Sequence, residues 1–453
     1  MSAPLTHPTP AYSPAPPGER PLNVVIEWTF YLLVFSIPFE FPDRSFPVEI
    51  PTLTAALFLC ATVLQPSACY ARRPVALIAF VVYLYVFCLS AALNGRDHVA
   101  TDLITSDYGG QVVKLFALLL QCVLVFWAGY NLLRSRTLAR HALLAFAASC
   151  ALRALLPLIG IGRTAHEQWG GGERITAFGQ NANNSAMILA AGFIALLGLR
   201  YGLDRPLVRH RWLVWPGSAL ILVSVVETGS RGGLVALGFG LLVFAAWSGR
   251  TLWHQMRNAV VGTVAIGAVI FASYNNPLVR RRFEQSFERG ALAGRERIYP
   301  ALWGMFKEKP LIGLGPVNNK YELGIRLDER VRRRRDAHNL ILEVLTSTGL
   351  TGVIPFALGA ALSVAAAWRA RRRAHGVLPF ALAPVVLTAN MSGNWIASKL
   401  LWLVLAYGLA SLSYATAAAR QPTPAKSPRP LIGPVPTPRR TGRPSTLPPA
   451  PNM

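Results

Sequence analysis

Metal-binding spacings are missing from this sequence. Its eight histidines do not cluster, and no HxxH, HExxH or DxD segment occurs, so no metal site is encoded by neighbouring ligands. The nearest approach is His166 beside Glu167. No P-loop and no close inverted duplication is present, which argues against a secondary transporter. Cysteine is scarce: Cys60, Cys69, Cys88, Cys122 and Cys150 all fall in the first third, without a CxxC pair. They read as small core residues, and no disulfide framework is implied. Acids are scarce too, 21 against 45 Lys and Arg, for a net charge of +24. The basic residues lie in breaks between apolar runs and not on a soluble face, so the implied partner is anionic lipid or an anionic substrate, not nucleic acid.

What the chain has in abundance is apolar length. With 453 residues, 53% of them hydrophobic and 15% charged, and a mean hydropathy of +0.38, it is too apolar for a soluble domain of its size. A span needs roughly 20 apolar residues. Runs of that kind predict spans near 23–41, 49–65, 74–93, 111–131, 141–161, 184–200, 213–228, 232–248 and 258–275, then 348–369, 377–395 and 399–418. The expected fold is therefore all-α and polytopic, with about twelve transmembrane helices. The first run follows a Pro-rich tail without a small-residue cleavage site and is read as a retained span. Residues 1–22 and 419–453 are expected to be disordered tails.

Arginine placement orients the chain. Arg72 and Arg73, Arg134 to Arg140, Arg200 to Arg211, Arg250 and Arg257, and Arg369 to Arg373 mark one set of alternating loops as cytoplasmic, together with both tails. The other set then faces outward and includes a large loop, 276–347, between the ninth and tenth spans. Between Asn276 and His338 that loop carries fifteen basic and eight acidic residues, against the charge rule for its side. A long solvated loop escapes that rule; the functional alternative is an electrostatic funnel for an anionic substrate at the outer leaflet.

Within the loop, Arg332 to Arg335 run into Asp336 and His338, and the chain turns apolar within two residues. The apolar stretch after Asn339 is too short to span and ends at Ser347, Thr348 and Gly349. An imidazole beside such a wall is held neutral near pH 7 and accepts a proton from a hydroxyl; the plainer alternative is a His bridging loop and helix. Arg231 lies in ETGSRGG between two short spans, where a charge needs a partner, either Glu227 four residues back or a bound phosphate. Arg295 and Arg297 precede Tyr299, Trp303 and Phe306, a pattern suited to an amphipathic helix on the membrane surface. Arg153, inside the fifth span, needs a partner that the sequence does not name.

The stretch HNLILEVLTSTGLTG, with His338, Asn339, Gly349 and Gly352, resembles the signature of bacterial O-antigen ligases. TGSRGG at 228–233 and GRERIYPALW to GLGP at 294–316 are similar to the two arginine motifs of the superfamily that joins ligases, O-antigen polymerases and O-linked oligosaccharyltransferases. RITAFGQNANNSA from Arg174 is similar to its weaker Asn-containing motif. The resemblance covers roughly residues 170–360. It implies a GT-C-like, inverting, metal-independent glycosyltransferase without a cofactor in the bacterial inner membrane. Its donor is undecaprenyl-diphosphate-linked O-antigen, and its acceptor is a sugar hydroxyl of lipid A-core, at the periplasmic leaflet. By position, His338 is the implied general base, and Arg231 and Arg295 hold the diphosphate. Arg174, Arg297, Arg334, Arg335 and Asn339 are expected as further substrate contacts. Tyr299 stands where such proteins often have Trp, and the Arg332–Arg335 run lies outside the shared motif; it suits phosphorylated core sugar or anionic lipid. A polymerase is the alternative, since arginines and fold are shared; an oligosaccharyltransferase usually adds a soluble C-terminal domain. A flippase or exporter of lipid-linked saccharide, the alternative of another class, would line a central cavity with its charges, whereas these concentrate on the outward side.

Overall fold

A computed structural model describes residues 21–39, 48–95, 108–167, 173–203, 206–208, 210–249, 251–275, 280, 284, 294–328, 334–393 and 396–419. Two compact units are distinguished, Met1–Ala415 and Thr416–Met453, and the candidate site lies in the first. The tails expected to be disordered fall almost wholly outside the described residues, as do most of 276–293 and the pair Arg332 and Arg333.

The apolar runs become helices α1 (Val24–Ser36), α2 (Ile50–Thr62), the single turn α3 (Pro66–Cys69), α4 (Val75–Leu93), α5 (Tyr108–Leu132), α6 (Arg136–Leu158), α7 (Ala182–Leu197), α8 (Arg211–Glu227), α9 (Arg231–Trp247) and α10 (Leu252–Tyr274). Then come α11 (Arg295–Glu308), α12 (Asn318–Arg326), α13 (Leu340–Ala370), α14 (Leu378–Asn390) and α15 (Lys399–Ala419). Each of the twelve expected spans coincides with one of these helices. Five helices among the described residues are long and apolar enough to cross a membrane, and six shorter apolar helices accompany them. The chain is a multi-pass α-helical membrane protein.

Helix starts follow local chemistry. Asn23, Ser135, Asn181, Ser230 and Asn339 each turn a side-chain oxygen onto a backbone N–H of the first turn, which satisfies donors that the helix itself cannot. α7 is buried along nearly its whole length, packed by α6, α8, α9 and α14. Small residues permit that closeness: a Cβ at Gly192 would lie 2.5 Å from the Cys150 side chain, and one at Gly240 2.2 Å from that of Val385. Tight backbone approach is what holds helices together where lipid is as apolar as the side chains.

One small element among the described residues is not helical. The loop after α6 folds into a hairpin of β1 (Arg163–Glu167) and β2 (Glu173–Ala177), with His166 opposite Arg174. A π-helical turn, Gly198–Gly202, also extends α7.

α13 is broken. Gly349 sits at φ 65°, ψ −164°, so residues 340–348 form a short helix of their own and 350–370 a second. The PLIGLG segment, 310–315, is laid into the break. Leu314 and Gly315 N–H groups donate to the carbonyls of Thr346 and Ser347 at 2.8 and 3.1 Å, and Leu350 and Thr351 N–H groups donate to Pro310 and Leu311 at 2.8 and 3.2 Å. Ser90 of α4 places its hydroxyl 2.7 Å from the Ser347 carbonyl and 2.8 Å from that of Ile312. Backbone groups freed at membrane depth are thereby satisfied by protein. A Cβ on Gly349 would fall 2.2 Å from the Leu311 carbonyl oxygen, in a conformation that side chains avoid. Gly349→Ala is therefore expected to destabilise the protein by about 3 kcal/mol, the sum of backbone strain and overpacking. Thermal unfolding of the detergent-solubilised variant checks this.

The described part of the large loop has its own small core: Ile298, Leu302 and Met305 of α11 meet Leu323, Leu327 and Ala337, all buried. α11 is amphipathic, as its pattern predicts. Its apolar stripe, however, faces protein and not lipid, and only Trp303 on the far side is left 48% exposed.

Candidate functional site

The chain approaches His338 in extended form and enters a helix immediately after it. Asn339 must therefore cap: its Oδ1 accepts from the Ile341 and Leu342 N–H groups at 3.0 and 3.1 Å. The turn puts His338 itself at φ 49°, in the left-handed region that costs a non-glycine residue energy. Ala337 on one side is fully buried in the loop core, and Leu340 on the other is 2% exposed, so the half-buried imidazole between them has little freedom. Among the described residues no side chain hydrogen-bonds either of its ring nitrogens. Burial pushes the imidazole below its ordinary value. Asp336 opposes that shift, while Arg335, Arg295 and Lys320 add to it. The group is thus a neutral base at pH 7.

Arg231 opens α9. The preceding Ser230 accepts from the Gly233 N–H at 3.1 Å and donates to Asn183 Oδ1 at 2.8 Å. Arg174, only 4% exposed, donates through Nε to the Thr228 carbonyl at 2.7 Å and through Nη2 to Asn183 Oδ1 at 3.3 Å. The Asn-containing segment therefore clamps the turn that presents Arg231. The Arg174 guanidinium, expected at substrate, is buried and holds the Thr228 carbonyl and Asn183. A Cβ on Gly232 would meet the Ser392 hydroxyl at 2.2 Å, which brings the start of α9 against the turn after α14.

Arg295 opens α11 and reaches the same turn, its Nη2 donating to the Ser392 carbonyl at 3.0 Å. Its Nε is buried without a partner among the described residues. Arg231 and Arg295 are near enough to repel each other, and the carboxylate acting on Arg231 is Glu296, not the sequence neighbour Glu227, which Arg163 faces. One turn along α11, the Tyr299 hydroxyl lies 3.0 Å from the Met391 carbonyl and 3.4 Å from that of His338, so it ties all three segments together. Gly294, ahead of Arg295, lies beneath the Arg335 guanidinium: an ideal Cβ there would be 3.8 Å from Nη2.

The structure thus gathers His338, Arg231, Arg295 and Arg335 at one place. The N-terminal ends of α9, α11 and the 340–348 helix share it, and each adds the positive end of its helix dipole. Two guanidinium groups, with Glu296 beside one of them, and a buried Arg295 Nε that has no partner among the described residues are donors of the kind that suit an anion. Arg297 is exposed and donates to the Leu327 carbonyl at 3.2 Å, and Arg334 is exposed. Asn339 keeps only its amide NH2 for a ligand. Arg153 finds its partners in Gln180 and in Ser185 at 2.6 Å. Sequence reasoning missed the Met391 and Ser392 carbonyls, because backbone acceptors leave no mark on residue type, and it missed Lys320 and Glu343 among many ordinary charges.

Among the described residues no three His, Cys, Asp or Glu side chains are grouped as a metal ion would require. A protein-family model described as O-antigen ligase matches residues 216–357, a range that contains Arg231, Arg295, Tyr299 and His338. No curated protein matches the chain.

Proposed function

We propose, from the chain's membership of the O-antigen ligase and polymerase superfamily through residues 216–357, that this protein is the ligase. On this reading it transfers O-antigen polysaccharide from undecaprenyl diphosphate to a sugar hydroxyl of lipid A-core. The observation that carries the reading is the meeting of His338 with Arg231 and Arg295, from segments far apart in sequence, at one end of an apolar helix bundle. That end is the periplasmic leaflet of the inner membrane in the topology read from the arginines.

The chemistry follows from these groups. A sugar hydroxyl is a poor nucleophile, so neutral His338 takes its proton as the oxygen attacks the anomeric carbon from the face opposite the leaving group. The new glycosidic bond forms with inversion, the bond to the diphosphate oxygen breaks, and undecaprenyl diphosphate departs with the electron pair. Charge grows on that diphosphate as the bond lengthens. Fixed guanidinium groups and helix N-termini therefore stabilise the transition state more than the ground state. The unpaired Arg295 Nε and the Arg231 guanidinium supply planar donors there, in the role a metal ion plays in other glycosyltransferases. Cationic residues gathered at one end, and not along a central cavity, support transfer over export.

The test is reconstitution of purified protein with lipid-linked polymer and lipid A-core, with a chelator present. Polymer joined to core is the expected product. Longer lipid-linked polymer with unmodified core would identify a polymerase, and no reaction in chelator restored by a divalent ion would overturn the metal-free mechanism. The same assay reads pH. A base whose value is lowered stays deprotonated in mild acid, so activity is present at pH 7 and is lost as the pH falls through that lowered value. The acid limb of kcat/KM is expected below about 6.5, the ordinary imidazole value.

A further inference from the structure

Lys320 is one of many basic residues in the loop, yet its surroundings set it apart. It lies on α12, its side chain 11% exposed, with Nζ 2.7 Å from Asp336 Oδ1 and 3.6 Å from Glu343 Oε1. Burial alone would lower its proton affinity, but Glu343 and Asp336 outweigh burial and keep the ammonium charged. The same residue uses its main chain: the Lys320 carbonyl accepts from the Arg335 N–H at 3.0 Å. The segment leading into His338 is therefore pinned by Lys320 twice, through backbone at Arg335 and through side chain at Asp336. Strained backbone such as His338 at φ 49° persists only where its surroundings over-determine it. Ala337 in the loop core, the Asn339 cap and Lys320 do so here.

Charge adds a second strand. Glu343 is buried, and its Oε2 has no hydrogen-bonding partner. The charged groups acting on His338 are Arg295 from α11, Lys320 from α12, and Arg335 and Asp336 from its own segment. Asp336 is the one among them that favours an imidazolium.

We propose that Lys320 is the positioning residue for the base: by holding Arg335 and Asp336 it fixes His338 in its left-handed turn and aims the Asp336 carboxylate at the imidazolium formed during transfer. This rests on the reading of His338 as the general base.

The experiment compares the wild type, Asp336→Asn, the double variant Lys320→Gln/Glu343→Gln and the triple variant, with His338→Ala as reference. The double variant removes both buried charges together, so no buried carboxylate is left alone. Asp336, 53% exposed at its side chain, is a substitution the fold tolerates. Two readouts are taken: kcat and KM in the reconstituted assay, and the pH dependence of His338 carbethoxylation by diethyl pyrocarbonate, read by mass spectrometry without turnover. Asp336→Asn is expected to lower kcat at least about tenfold with KM for the lipid-linked donor within about twofold, and to move the His338 titration to lower pH. The double variant is expected to lower kcat comparably, and the triple variant no further, because both changes cut one linkage. Unchanged kcat and an unchanged titration in Asp336→Asn would overturn the proposal, as would fully additive losses in the triple variant. Activity surviving in His338→Ala would instead sink the base reading, while the titration shift would still report the linkage.

Discussion

His338→Ala is expected to abolish polymer transfer while the protein is still made and inserted. A placed base contributes roughly 10²- to 10⁴-fold, and on the proposed reading the remaining groups would bind the diphosphate without activating the acceptor. The substitution is mild for the fold, because the ring is only half-buried and makes no side-chain hydrogen bond among the described residues. His338→Asn is the sharper control, since Asn tolerates the left-handed turn at φ 49° better than most residues and is not a base. Both variants, placed in a strain lacking the gene, are expected to leave core without polymer. Polymer-capped lipopolysaccharide at wild-type level in either would refute the assignment.

The second large effect concerns the arginines. Arg231→Ala and Arg295→Ala are each expected to lower kcat by about 10²-fold or more, the scale seen when a preorganised donor to developing charge is removed. Lysine at either position restores charge but not the planar pair of donors, so Arg295→Lys is expected to recover only part of the loss. The Arg295 guanidinium also holds the Ser392 carbonyl at 3.0 Å, and a lysine ammonium must choose between that carbonyl and the diphosphate. Assays at saturating acceptor separate the two roles: loss confined to KM for the donor means uniform binding, and loss in kcat means transition-state contact. Equal, mild effects of Ala and Lys at both sites would remove the diphosphate from this pocket.

The helices were legible because apolar runs of spanning length have few other uses. His338, Arg231 and Arg295 stand out in the sequence as polar residues out of place beside apolar runs, and the fold brings them near one another. The broken helix was half legible: the stretch to Gly349 is visibly too short to span, but nothing in the residue types shows that 310–315 would fill the gap, since that union is made by backbone groups. The hairpin at 163–177 was overlooked although RTAHE and ERITA flank a glycine-rich stretch of sequence; strands of this length resemble loop in a chain read for helical runs. Local spacing misled at Arg231, where Glu227 is nearer in sequence but Glu296 acts across the fold. A buried arginine that serves a turn carbonyl, as Arg174 does, is the same letter in the sequence as one that serves phosphate. Lys320 was hidden by company: one cation among fifteen in its loop shows its use only when two carboxylates are seen around it.

The interruption of α13 has a mechanical consequence. With Pro310, Leu311, Leu314 and Gly315 bonded across it, the discontinuity at Gly349 is riveted and not hinged. The half that follows His338 and the half that continues to Ala370 are both bonded to 310–315, so the two move as one body. A tilt imposed on the longer half by a thinner or thicker bilayer is therefore passed on to the His338 end, and the 310–315 backbone travels with it.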